Sequence, residues 1–399
     1  MPDPHALPLA AILATLALPA CAQGFEYGER NTDLQPVSAD QFRAPLAQSD
    51  ASLETSVLAG ELVHPWGIAT LPGDAGWLVT ERPGRLRHIA PDGTLSEPIA
   101  GMPEVYDRDQ GGLLDVALGP DFADDRMIYV TYAKPMGGGL SATAAARGML
   151  SEDMSEVTGV TDIFVQDPPD DTAKHYGSRI LFPGDGTAII TTGEHSSMET
   201  RVFAQDLDKT YGKVIRVNLD GSIPQDNPFV GQEGAVDSIW SYGHRNIQGA
   251  AYDDDGALWT IEHGPAGGDE LNRPEAGLNY GWPVISYGEN YNGAPIGSGE
   301  AAREGMEQPV YFWDPVIAPG GMAFHDGEAF SDWNGDALIG SLYPGGVVRL
   351  GIEDGRVTEE ERLLRDIGRV RDVEILEDGT FIVLTDFENG AAIHVTPGG

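Results

Sequence analysis

Six times along the chain, a short apolar run enters a turn rich in Asp and Gly, and a second apolar run leaves it. The copies are WGIATLPGDAGWLVTE (residues 66–81), GLLDVALGPDFADDRMIYVTY (ending at 132), RILFPGDGTAIITTGE (ending at 194), IQGAAYDDDGALWTIEHG (ending at 264), GMAFHDGEAFSDWNGDALIGSLY (ending at 343) and VRDVEILEDGTFIVLTD (ending at 386). Apolar and β-branched runs joined by Asp-Gly predict β-hairpins, because Gly supplies the positive φ that such turns need. Several hairpins are followed by a third run of mixed pattern: GRLRHI, GKVIRVNLDG, GGVVRLGI and AAIHV. Helical periodicity is weak, and residues 359–364 are the one short helix candidate. The second strands return at intervals of about 40 to 80 residues, the range of propeller blades. Six sheets around an axis cover each other's flat faces, which protects many short strands at once. The predicted fold is all-β, a six-bladed β-propeller of four-stranded antiparallel blades over residues 58–399, preceded by a polar lead-in at 23–57. Uneven spacing predicts long insertions at 135–174, 200–240 and 265–310.

In a hairpin, the start of the first strand and the end of the second lie at the same end of the sheet. The unusual polar residues gather at those two places. Before the first strands stand His64-Pro65-Trp66, Asp109-Gln110-Gly111-Gly112, His175-Tyr176-Gly177, His244-Arg245-Asn246, Ala318-Pro319-Gly320-Gly321 and Arg369-Val370-Arg371-Asp372. After the second strands stand Glu81-Arg82, Tyr132, Glu194, Glu262-His263-Gly264-Pro265, Tyr343 and Asp386. The Asp-Gly turns at the other end are bland, so one pole carries the candidate site.

Composition narrows the function classes. The 399 residues include 52 Gly and 28 Pro, a level that suits turns rather than helical bundles. With 24 Lys+Arg against 63 Asp+Glu, the formal charge is −39. That balance excludes nucleic acid as an electrostatic partner and argues against an anionic membrane surface. Residues 7–18, LPLAAILATLAL, are too short to span a bilayer and resemble the apolar core of an export signal. Residues 1–22 are read as that signal, with a possible lipid-attachment box at Cys21, the only cysteine. The mature chain then carries no disulfide and is periplasmic or secreted.

Each candidate has a plain alternative. His175 and Glu194 face each other across one hairpin: a carboxylate beside an imidazole either prepares a general base or simply ties two strands. Arg245, Arg369 and Arg371 converge on one mouth, where they pair with local Asp or receive an anionic ligand. His263-Gly264-Pro265 is a turn or a source of carbonyl oxygens for calcium, with Asp269 and Glu270 close by. Trp66, Trp240, Trp282 and Trp313 stack on a ligand or wedge between blades. No GxGxxG fingerprint, P-loop or GxSxG elbow is present.

The segments HPWG, DQGGLLDVALGPDF, HYGSRILFPGDG, YGKVIRVNLDGSIPQDNPF, YGHRNIQG, EHGPAGGDELN, GLNYGWPVISYG and WDPVIAPGGMAF resemble the soluble pyrroloquinoline-quinone (PQQ) dependent aldose sugar dehydrogenases, relatives of soluble glucose dehydrogenase. The likeness spans residues 60–398 and touches all six repeats. It implies a six-bladed propeller that oxidises an aldose at the anomeric carbon and passes electrons to an external acceptor. In that resemblance His175 matches the general base and Glu194 its acidic partner. Gln110, Arg245, Asn246, Arg369 and Arg371 match residues that contact the quinone. Gly264 and Pro265 match the carbonyls that ligate a calcium ion on PQQ, and Glu270 and Tyr280 match a second, structural calcium site. Two positions depart: Tyr343 stands where the family has a Lys touching PQQ, and Gly320 replaces a common Ser. The departures leave room for a relative that oxidises another substrate, such as a sugar-derived aldehyde, or for a propeller that has lost PQQ; a calcium-dependent lactone hydrolase and a non-catalytic binding propeller are the alternative readings. The preferred sugar and the oligomeric state, monomer or dimer, stay open.

Overall fold

The computed structural model describes residues 25–399, so the export signal and Cys21 lie outside the described residues. The six hairpins each open one sheet, and the sheets stand around a central axis. Blade 1 contains Pro65–Thr70, Trp77–Glu81 and Arg85–Ile89. Blade 2 contains Leu113–Leu118, Met127–Gly137, Leu140–Leu150 and Val157–Val165. Blade 3 contains Gly177–Leu181, Thr187–Thr192, Lys213–Asn218 and Ile239–Tyr242. Blade 4 contains Ile247–Tyr252, Leu258–Glu262, Asp269–Asn272 and Tyr311–Trp313. Blade 5 contains Pro319–Phe324, Ala337–Ser341, Val347–Glu353 and Arg356–Leu363. Blade 6 contains Val370–Ile375, Phe381–Thr385 and Gly390–Pro397, with Leu53–Leu62 as its outer strand. All pairings are antiparallel, and the first strands touch one another in a closed ring around the axis. The N-terminal strand therefore closes the ring by pairing with the last one, and it begins inside the polar lead-in.

Each junction between neighbouring blades holds its own apolar cluster, for example Leu78, Leu86, Leu113 and Val130 between blades 1 and 2, and Val79, Ile89, Ile382 and Leu384 between blades 6 and 1. Stacked sheets bury both faces, so the strands read as nearly continuous apolar runs. The lead-in lies against the outside of blade 4. Phe42 stacks on Phe312 at 4.6 Å, and the Asp314 carboxylate accepts the backbone N–H of Asn31 at 2.8 Å.

The four-stranded plan holds with one variation in blade 1, and two other expectations need correction. Blade 1 has three regular strands; residues 95–99 occupy the fourth place through single bridges to Ile89 and Leu86. Pro98 in that segment has no N–H to give to a ladder. Much of 135–174 is not an insertion but the outer half of blade 2, built on the Ala-rich strand Leu140–Leu150 whose small side chains are buried. Most of the helix candidate at 359–364 belongs to the strand Arg356–Leu363. There Arg349 on the adjacent strand pairs with Glu359 at 2.7 Å and Glu361 at 2.9 Å, and these cross-strand ion pairs override helix propensity. No helix among the described residues is long and apolar enough to cross a membrane.

Candidate active site

The strand ends predicted to meet at one pole do meet there. They enclose a cavity of about 450 Å³ lined by His64, Trp66, Arg82, Gln110, Asn246, Gln248, Arg369 and Arg371, among others. Arg371 donates to the Gln248 side-chain oxygen at 2.8 Å and to Asp386 at 2.9 Å. Arg369 donates to the same Asp386 oxygen at 3.1 Å, and the His64 ring lies 2.9 Å from its other oxygen. Asp386 is buried, but these three partners hold its carboxyl far below the usual carboxylate range, with Arg371 contributing most. The Nε atoms of Arg82, Arg245 and Arg371 are buried without a hydrogen-bond partner. Arg82 and Arg371 line the cavity, and Arg245 lines the neighbouring crevice.

His175 lies at the edge of this wall, between the lining residues Gln110 and Tyr176. Its backbone N–H donates to the Gln110 side chain at 2.9 Å, and its Nδ1 is 3.3 Å from Glu194 Oε1. The Asn246 side chain accepts the next turn's N–H, from Gly177, at 3.0 Å. Glu194 also accepts the Ser196 backbone N–H, and Arg245 Nε lies 3.8 Å from it. Burial, followed by the Arg245 charge, holds the His175 pKa below that of a free imidazole despite Glu194. Burial pushes Glu194 up, but His175 and Arg245 outweigh it and hold the carboxyl below its ordinary value. The stable arrangement at neutral pH is an ionised carboxylate beside a neutral imidazole. That is the state in which an imidazole accepts a proton.

Gly264, Pro265, Glu270 and Tyr280 line a small crevice together with Arg245, and His263 borders both this crevice and the main cavity. The 264–269 turn is held by Asp269, whose carboxylate accepts the N–H of Gly264 at 2.7 Å and those of Ile317 and Ala318 at 2.8 and 2.7 Å. Burial, with the Glu262 charge added, pushes the Glu270 pKa well up and favours its neutral carboxyl. Tyr343 stands apart: its side chain is exposed on the rim and does not line the cavity. Gly320 is explained by packing, because a Cβ there would run into the Arg371 carbonyl oxygen. Trp66 lies under the guanidinium groups of Arg179 (4.4 Å) and Arg371 (5.7 Å), and Trp282 under Arg245 (5.1 Å). Trp313 is instead core, and Trp240 packs on Arg216 away from the mouth.

Beneath the cavity, the axis carries an ion cluster that the sequence reading missed. Buried Arg179 donates to Asp115 at 3.0 Å, to Asp372 at 2.9 Å and to the Gln248 carbonyl at 2.7 Å. Gly67 makes room for it, since a Cβ there would lie 2.7 Å from Asp115. The available signal was a charged residue inside three of the six first strands: Asp115 in LLDVAL, Arg179 in GSRIL and Asp372 in VRDVEI.

The family described as glucose/sorbosone dehydrogenase matches residues 62–394. The aldose sugar dehydrogenase YliI of Escherichia coli K12 is 44% identical over 351 residues, covering 87% of this chain and 94% of that protein. The crystal structure of the soluble E. coli aldose sugar dehydrogenase in its apo-form superposes with a TM-score of 0.84 at 43% identity, over 87% of this chain and all of the other. A PQQ-bound aldose sugar dehydrogenase from Streptomyces coelicolor superposes with a TM-score of 0.70 at 26% identity, over 86% of this chain and 99% of its own.

Proposed function

The chain belongs to the glucose/sorbosone dehydrogenase family, and from that premise we propose that it oxidises aldose sugars at the anomeric carbon with PQQ and calcium. The observation that carries the reading is a buried imidazole, His175, paired with Glu194 beside a cavity lined by the guanidinium groups of Arg82, Arg369 and Arg371. PQQ is a planar tricarboxylate, and Arg371 and Arg245 with the Gln110 and Asn246 side chains are chemically suited to hold it. Gly264 and Pro265 would offer carbonyl oxygens to a calcium ion, and Glu270 and Tyr280 would offer oxygens to a second. When bound, PQQ supplies the acceptor for the hydride. His175 takes the proton of the anomeric hydroxyl, and Glu194 fixes the ring and offsets the imidazolium charge that forms. Arg245 keeps Glu194 ionised. The electrons then pass to an external acceptor, and the apolar run at 7–18 with Cys21 supports export, with or without a lipid anchor.

Reconstituting the purified protein with PQQ and Ca²⁺ and following dye reduction with a panel of aldoses tests the reading. Sugar-dependent reduction that requires both additions is expected; no PQQ binding would overturn it. Arg371→Gln removes one guanidinium and leaves Asp386 less well paired. The PQQ concentration for half-maximal reconstitution should rise about tenfold, since a charge-assisted pair is worth roughly 1.5–3 kcal/mol. The pH profile is a separate check. A base whose pKa is depressed stays neutral to lower pH, so the acid limb of kcat/KM should lie below about 6.5, the ordinary imidazole value.

A further inference from the structure

His195 follows Glu194 directly and is fully buried. Its Nε2 lies 2.7 Å from Gln166 Oε1, and its Nδ1 lies 3.1 Å from the Thr172 carbonyl oxygen. The orientation of Gln166 is fixed by its other contacts. Its amide nitrogen donates to the carbonyls of Gly193 at 2.8 Å and Thr210 at 3.2 Å, which leaves the oxygen facing the imidazole. Both ring nitrogens thus face oxygens. The ring is further held between the edges of Tyr176 (5.1 Å) and Tyr211 (5.2 Å). Their hydroxyls are engaged elsewhere, with Ser141 and with the Pro168 carbonyl.

These contacts have a topological meaning. Gln166 and Thr172 lie near the two ends of the connection that leaves blade 2 and delivers His175 to the mouth. Gly193, tied to Gln166, precedes Glu194 in the chain. A neutral ring carries one N–H, which the shorter contact gives to Gln166, so the imidazole hydrogen-bonds the segment bearing the carboxylate to the start of the segment bearing the base and only touches Thr172. The linked pair is itself loosely set, with Nδ1 and Oε1 at 3.3 Å. We propose that His195 is a positioning residue that sets the spacing between His175 and Glu194. The inference rests on the proposed role of His175 as base.

The charged and titratable groups facing His195 are Asp170, Glu194 and His175, besides the two tyrosines. Burial holds its pKa below that of free imidazole, so it is a neutral tether near pH 7 and contributes no fixed charge there. Loss of the tether acts through geometry: Glu194 supports His175 less well, and the His175 pKa falls further.

The test is a histidine NMR titration of the protein without added cofactor, comparing the parent with His195→Phe and His195→Gln, with His175 assigned through His175→Ala. In His195→Phe the His175 pKa should fall by about half a unit or more, and in the reconstituted enzyme kcat should drop roughly tenfold with KM for the sugar little changed. His195→Gln, which keeps a donor, should recover part of both. A thermal melt identifies a variant that fails to fold, and His195→Gln then carries the comparison. An unmoved His175 pKa in a folded variant overturns the proposal, even if stability falls. A shifted pKa with unchanged kcat leaves the positioning intact and instead removes His175 from the role of base.

Discussion

Replacing His175 by Ala is expected to lower kcat for aldose oxidation by about 10²- to 10⁴-fold, the span that a positioned general base supplies. PQQ titration should be nearly unchanged, because the side chains proposed to hold it, Gln110, Asn246 and Arg371 among them, line the cavity and stay in place. The combination distinguishes a base from a binding residue: steady-state dye reduction collapses while the reconstitution curve stays put. An unchanged kcat would remove His175 from the chemistry. Glu194→Gln should cost less, since the amide still accepts a hydrogen bond from the ring but no longer offsets the imidazolium charge.

The second large effect concerns stability. Arg179→Met removes the cation that pairs with both Asp115 and Asp372, which are buried on the axis. Breaking a buried ion cluster by deleting one partner costs about 3–5 kcal/mol, because the remaining charges lose their compensation. Burial already pushes the Asp115 carboxyl up to about 6 in the presence of Arg179. Without the guanidinium both carboxyls rise further, so the folded state binds more protons than the unfolded one. A carboxyl raised on folding costs stability as pH rises through the unfolded value toward the folded one. The deficit of Arg179→Met should therefore be largest near neutrality and shrink toward pH 4, as read from urea midpoints at several pH values. Adding Asp115→Asn and Asp372→Asn should restore part of it, because replacing a whole buried cluster is tolerated better than breaking it. A variant as stable as the parent would show that the cluster is solvated from the cavity above it.

Several of these residues also explain what a single sequence conceals. The hairpins were legible because Asp-Gly turns and apolar periods are local signals. The polar pole was legible too, because strand polarity fixes which ends come together. The outer half of blade 2 was not legible: Leu140–Leu150 is Ala-rich, and alanine acquires a strand preference only from the close approach of a neighbouring blade. The strand at Arg356–Leu363 was misread for a related reason, since its acidic run is stabilised by Arg349 across the ladder.

By itself, the sequence determined an all-β ring of six hairpin repeats, the pole where the unusual side chains meet, and the pairing of His175 with Glu194. Those follow from periodicity and from antiparallel register, which act over a few residues. The tertiary structure decided which arginines have unpartnered nitrogens, that Tyr343 stays on the rim, that Leu53–Leu62 closes the ring, and that Arg179 and His195 lie where they do. Burial and charge compensation depend on residues from different blades, and only closure of the ring brings those together.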